Sequence, residues 1–510
     1  MPTAADRFSS LLEQHVARRA PLERDAHVAE WDLSLTGSDE AAARTEKLET
    51  ELKAVLSDPD TFGTLDALRA SGEITDADTR RQLDRLWMDF AGNQVPQELL
   101  ARIVSLEVKA GAVFSGFRAK LDGRDLTENE VRDILGESDD VAHRRRTWEA
   151  SKEIGGALAP IVRELVELRN EGARKLGFRD YYAQSLELQE IDEGFLFGIL
   201  EDLERQTQEP YDEWLGELFG RLGRRFGCSA ADIRPWHLAD PFFQEAVPPA
   251  DVDADRFYAD ADLVELTRDA LGRMGFPISG MIDRSDLFPR PGKNQHAFCT
   301  HIDRMTDDIR VLCNCAPNAY WMDTMLHEYG HAVYDERLGP DLPWMLRDAA
   351  HTLSTEAIAL LFGRLATHPD WMIRVAGAPA AEVNAMADGL AAMSRTKQIL
   401  FPRWVMVMSH FERELYGNPD ADLNSLWWDL VERFQKVKRP EGRDAPDWAS
   451  KVHVALAPVY YHNYLLGDLM ASQLDGWLQR EVTDGAWFQS ADTARLLTEK
   501  LFRHGARRPW

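Results

Sequence analysis

Apolar residues recur along most of this chain at steps of three and four, with charged positions between them, which is the period of an amphipathic helix. The pattern predicts helices over Thr3–Ala17, Ser38–Ser57, Asp76–Ala91, Gln97–Leu121 and Asp139–Lys175. It continues over Asp192–Phe226, Ala261–Gly275, Pro317–Leu338, Leu353–Thr367, Ala380–Tyr416, Leu423–Lys436, Tyr460–Glu481 and Ser490–Arg503. One region breaks it. Gln295–Asp303 and Ile309–Ala316 are β-rich runs on either side of the polar turn Arg304–Asp308, which reads as a hairpin. The expected fold is therefore mostly α, with one small antiparallel sheet beside the helix that follows it. Pro317 suits the first turn of that helix, where its missing N–H costs nothing, and Gly339-Pro340 stops it.

The 510 residues contain no Ser/Gly-rich linker, low-complexity tract or short-period repeat, so one domain, 1–510, is expected. No run approaches about 18 consecutive apolar residues, and the first 25 residues lack the apolar stretch of a signal peptide. The net charge of −27 argues against a nucleic-acid or anionic-membrane partner, because phosphate binding needs clustered Lys and Arg. Four cysteines (Cys228, Cys299, Cys313, Cys315) in so long a chain make no disulfide framework, and a cytoplasmic protein with free thiols is expected. Cys313-Asn314-Cys315 reads better as two residues on one side of a strand than as a metal or redox pair.

The densest chemistry lies in the helix after the hairpin, at His327-Glu328-Tyr329-Gly330-His331. Positions i and i+4 share a helix face, so both imidazoles can bind one Zn²⁺. Glu328 then sits beside the remaining coordination position, where it can take a proton from water. A catalytic zinc needs a third protein ligand, and Glu356, 25 residues after His331, is the best candidate. It lies in an apolar helical segment, where an unpaired carboxylate would be costly to bury. Asp323 and Asp335, one turn to either side of the histidines, are candidate partners for the second ring nitrogens, or else solvent-facing charges.

With this motif, Glu356 and a C-terminal aromatic cluster in view, the chain from Trp148 to Trp510 resembles the angiotensin-converting-enzyme family of zinc peptidyl-dipeptidases. It also resembles their relatives, the thimet-type oligopeptidases and the Taq-type carboxypeptidases. The segment His237–Gln244 (HLADPFFQ) is similar to a family segment ending in a glutamine that binds the substrate's C-terminal carboxylate, which gives that role to Gln244. His296-Ala297 resembles the family's His-Ala pair on an edge strand that contacts the peptide backbone. Lys451-Val452-His453 resembles its Lys-x-His, implying that Lys451 binds the carboxylate and His453 the carbonyl near the metal. Pro458–Tyr464 resembles a segment with two tyrosines three apart. Tyr461, or Tyr460 in a register shifted by one, would then assist carboxylate binding, and Tyr464 would support the oxyanion.

The residue types fit those roles on their own terms. A lysine, an amide and a phenol all donate hydrogen bonds to a carboxylate. A phenol and an imidazole can stabilise charge that develops only in the transition state. The chain departs from the family in having His462-Asn463 where an arginine linked to chloride activation stands, and Gln295 where a cysteine precedes the His-Ala pair.

The resemblance implies a helical ellipsoid with a deep central channel, N-terminal helices (1–138) acting as a lid and a catalytic body over 139–510. It implies one Zn²⁺ and short peptide substrates, in a monomer or weak homodimer. Three cleavage modes stay open: release of C-terminal dipeptides, internal cleavage, or release of single residues. A catalytically inactive peptide-binding protein on the same scaffold is the alternative from a different class.

Overall fold

The computed structural model describes residues 2–245, 252–482 and 485–510. Some 70% of it is helix, and the strands form two separate antiparallel hairpins. The chain is thus mostly α, as its periodicity predicts. Contacts divide it into two compact units, one of residues 1–94, 251–390 and 466–510, the other of 95–250 and 391–465. Among the described residues no helix is long and apolar enough to cross a membrane.

The first unit carries the expected hairpin. Strand β3 (Phe298–Asp303) pairs with β4 (Asp308–Leu312) in the register Cys299↔Val311, with a bulge at His301/Asp303. Both strands are shorter than their β-rich runs. His296 and Ala297 lie just before β3, not on it, and Cys313 and Cys315 follow β4 outside the strand. The backbone N–H groups of these cysteines donate to the carbonyls of Asp286 and Leu287. All four cysteines are free thiols.

The N-terminal helix runs Ala4–Thr36, far past the predicted end at Ala17. Pro21 lies inside it without ending it. Tertiary contacts explain the extension. Trp31 packs edge-on against Phe298 with ring centroids 6.1 Å apart, His27 Nδ1 lies 3.2 Å from the Ile302 carbonyl, and Asn294 N–H donates to the Ser34 carbonyl. Packing against a strand outweighs one lost helical hydrogen bond.

Two helices of this unit cross in close contact. The first, Ala319–Glu336, carries the HEYGH sequence, and the second, Thr352–Gly363, carries Glu356. Asn318 caps the first through its side-chain oxygen on Trp321 N–H, so Pro317 falls outside the helix and not in its first turn. His351 caps the second, its Nδ1 accepting from Leu353 N–H. Their close approach depends on Gly330, where an added Cβ would stand 2.8 Å from Ala359 Cα.

The second unit is packed around tryptophans. Trp148 meets Trp236 and Trp428 at centroid distances of 6.1 and 6.2 Å, and Trp404 meets Trp427 at 5.8 Å. It also holds a hairpin that the periodicity missed. Strands β1 (Ala119–Leu121) and β2 (Arg124–Leu126) flank Asp122-Gly123, both with positive φ. An Asp-Gly pair is the standard two-residue turn signal, and it ends the preceding helix at Gly116 instead of Leu121.

Gly330→Ala tests the helix crossing. Alanine favours a helix interior by about 0.5–1 kcal/mol, but overpacking against backbone costs about 1–3 kcal/mol. The expected outcome is a net loss of about 1–2 kcal/mol in a denaturant titration, because Ala359 Cα cannot rotate away. A variant as stable as the parent would show that the crossing tolerates a side chain.

Candidate metal centre

The two helices bring His327, His331 and Glu356 together. Their ligand atoms all lie within 4.8 Å of one another, and among the described residues no other such group of His, Cys, Asp and Glu forms. His327 Nε2 is 3.6 Å from Glu356 Oε2, and His331 Nε2 is 4.0 Å from Oε1. The imidazole rings stand 5.0 Å apart at 81°. Tetrahedral zinc with bonds near 2.0–2.1 Å separates its ligand atoms by about 3.3 Å, so small side-chain movements suffice to close the set.

The electrostatics suit a cation. Burial pushes the His331 pKa down to about 3, with the neighbouring His327 adding to the shift, so the ring is neutral at pH 7. Its Nδ1 lies 2.8 Å from Thr355 Oγ1. When Nδ1–H donates to that hydroxyl, Nε2 presents a lone pair towards the Glu356 carboxylate. Two acceptors then face each other, an arrangement that a cation between them satisfies. Burial also raises the pKa of Glu356, a penalty that a bound cation would offset.

Glu328 is buried on the same helix. Its pKa is pushed up to about 8 by burial first and by the Glu356 charge second, while a backbone hydrogen bond from Cys299 on β3 acts in the opposite direction. Raised carboxyl pKa values next to a ligand cluster are a pattern of acid–base sites.

Thr355, adjacent to Glu356, occupies the place that Asp335 was a candidate for on His331. Asp335 is half-buried, its pKa raised to about 8 by burial and by Asp348, with Arg304 opposing. Asp323 sits against Gly363 at the end of the Glu356 helix. Another glycine packs on the site, since a Cβ at Gly467 would stand 3.4 Å from Glu356 Cβ. His296 is exposed in the loop before β3, its N–H donating to Asn294 Oδ1, and Ala297 is half-buried against the core.

The remaining predicted residues gather in the second unit. Lys451 Nζ donates to Gln244 Oε1 at 3.1 Å and lies 5.1, 5.6 and 5.8 Å from the ring centres of Phe242, Trp404 and Tyr461. Tyr461 packs at 4.8 Å on His453 and at 5.7 Å on Tyr464, and Tyr460 meets Tyr464 at 5.1 Å. Five positions spread from 244 to 464 thus share one cluster.

Burial pushes the Lys451 pKa down to about 8, against the pull of Asp240. It lowers His453 to about 4, with Lys451 adding to the shift, and raises the Tyr461 hydroxyl, which stays protonated as a donor. His453 Nδ1 is buried without a hydrogen-bond partner. Asp240, overlooked in the sequence, shapes the Gln244 loop. Its carboxylate accepts from the N–H groups of Phe242, Gln244 and Glu245 at 2.8–3.0 Å. Gln435 holds the same loop by donating to the Phe242 and Phe243 carbonyls.

Titration of metal-free protein with Zn²⁺ is expected to give one tight site per chain, lost in Glu356→Ala. Thr355→Val, which keeps the shape but removes the hydroxyl, should weaken the metal by about 10–100-fold. An affinity within threefold of the parent would remove Thr355 from the site. No protein-family model matches the chain.

Proposed function

We propose that this protein is a zinc-dependent peptidase acting on short, unstructured peptides. The observation that carries the reading is the His327–His331–Glu356 cluster with buried Glu328 on the same helix as the two histidines. Such a centre supplies a Lewis acid that polarises a carbonyl and lowers the pKa of water to about 7. His327, His331 and Glu356 would hold the ion as neutral imidazoles and a carboxylate. Glu328 takes a proton from the attacking water onto its carboxylate and delivers it to the nitrogen of the leaving amine. Glu328, held towards its protonated form by burial and by Glu356, would be returned to a carboxylate by a cation bound beside it.

The family resemblance supplies the remaining assignments. The Tyr464 hydroxyl and the neutral His453 ring donate to the carbonyl oxygen as it gains charge. His296 and Ala297 contact the peptide backbone. Gln244, Lys451 and Tyr461 hold a free C-terminal carboxylate, with Lys451 supplying the charge. An anchored C-terminus favours release of dipeptides. Internal cleavage or single-residue release differs in the first product, which mass spectrometry of free-acid peptides reads directly. An inactive peptide-binding protein has no use for Glu328, and hydrolysis that stops on chelation and returns with Zn²⁺ excludes it.

Glu328→Gln is expected to lower kcat by about 10²–10⁴ while one metal stays bound. Turnover near the parent value would sink the assigned proton transfer.

The anchor has a pH signature. Lys451 is a cation below its pKa of about 8 and loses its charge above it. KM for free-acid peptides should therefore rise above pH 8, while C-terminally amidated peptides show no such rise. If amidated and free-acid peptides are cleaved equally well throughout, the carboxylate anchor is wrong.

A further inference from the structure

The helix Tyr461–Glu481 carries Tyr461 and Tyr464 in its first turn, and the residue that leads into it is conformationally unusual. Val459 has φ of +56°. A β-branched side chain in the left-handed region is a true outlier, and such a residue persists only where its surroundings hold it.

Two hydrogen bonds hold it. On one side, Glu412 Oε1 accepts from Val459 N–H at 2.9 Å. On the other, Gln189 Nε2 donates to the Val459 carbonyl at 3.1 Å. The Gln189 oxygen reaches further along the chain, accepting from Asn463 Nδ2 at 2.8 Å and facing His462 Nε2 at 3.2 Å. Glu412, His462 and Asn463 are each no more than 2% exposed, whereas Gln189 is half-buried, so the Glu412 bond is shielded from water and the Gln189 bonds are shielded in part. One amide and one carboxyl group therefore fix both the strained peptide and the first turn that presents the tyrosines.

From this geometry we infer that Gln189 and Glu412 are positioning residues for Tyr461 and Tyr464, acting through the left-handed conformation of Val459. The inference rests on the peptidase reading. Both residues act on protein groups, Gln189 and Glu412 each bonding the Val459 backbone. Gln189 closes the helix Tyr181–Leu188 as its C-cap, and Glu412 sits in the helix Ala380–Gly417, so the clamp is anchored on two rigid elements. In its absence the backbone at Val459 relaxes to negative φ and both phenols shift.

The full-length, zinc-loaded protein tests this with a free-acid peptide. Gln189→Leu removes both halves of the amide clamp and should lower kcat/KM at least tenfold, with KM rising and kcat falling together. A merely structural defect lowers the amount of active enzyme, hence apparent kcat, and leaves KM unchanged. Glu412→Gln keeps an acceptor for Val459 N–H and should stay within threefold of the parent, whereas Glu412→Leu should match Gln189→Leu. Should Glu412→Leu fail to fold, the other two variants still decide. Val459→Gly removes the strain, so Gln189→Leu should cost less in that background than in the parent.

Unchanged KM in Gln189→Leu, or an equal loss in both backgrounds, overturns the inference. A parent protein with no chelator-sensitive hydrolysis overturns the peptidase reading itself, and that outcome is distinct because it is seen before any variant is compared.

Discussion

The close crossing of the helices Ala319–Glu336 and Thr352–Gly363 is the constraint on which the candidate metal centre depends. The two histidines lie on one helix and the carboxylate on the other, and their ligand atoms converge only because Gly330 lets backbone meet backbone. A side chain there would meet Ala359 Cα, which cannot swing aside as a side chain can. At Gly467, beside Glu356, an added Cβ would make only an ordinary contact, so the tight constraint lies at Gly330. The caps matter as well. Asn318 and His351 set where each helix begins, and with that which face each presents.

Burial gives the polar groups a common electrostatic character. Glu328 and Glu356 are shifted up, and His331, His453 and Lys451 down, each towards its neutral form and each with desolvation as the largest cause. In both clusters this leaves unfavourable solvation that a ligand of the right charge relieves. Under the proposed function, a cation would relieve it for the carboxylates of the first unit, and an anion for Lys451 in the second.

Much of this was legible beforehand. HEYGH on a helix, Glu356 one helix later and the hairpin before them follow from period, spacing and burial cost. The convergence of Gln244, Lys451, His453, Tyr461 and Tyr464 was legible only through the family resemblance, because no local pattern joins positions so far apart. Thr355 was missed because a threonine beside a glutamate carries no signal, and only the helix crossing turns its hydroxyl towards His331. Gln189 and Glu412 were missed for the same reason, since both bond the backbone of Val459 far along the chain, whereas the partners of Asp240 lie within its own loop. The turn at Asp122-Gly123 did carry a local signal, which the helical period around it obscured.

The amino-acid sequence by itself determined the helical class, the face shared by the two histidines and the place of the hairpin, because these follow from the local period of side chains along a chain. Tertiary structure decided the rest. The length of the N-terminal helix past Pro21, the choice of Thr355 over Asp335 on His331, and the left-handed turn at Val459 each depend on a partner far away in sequence. Local preference at these sites is weak or opposed, and it gives way to packing and buried hydrogen bonds that exist only in the folded chain.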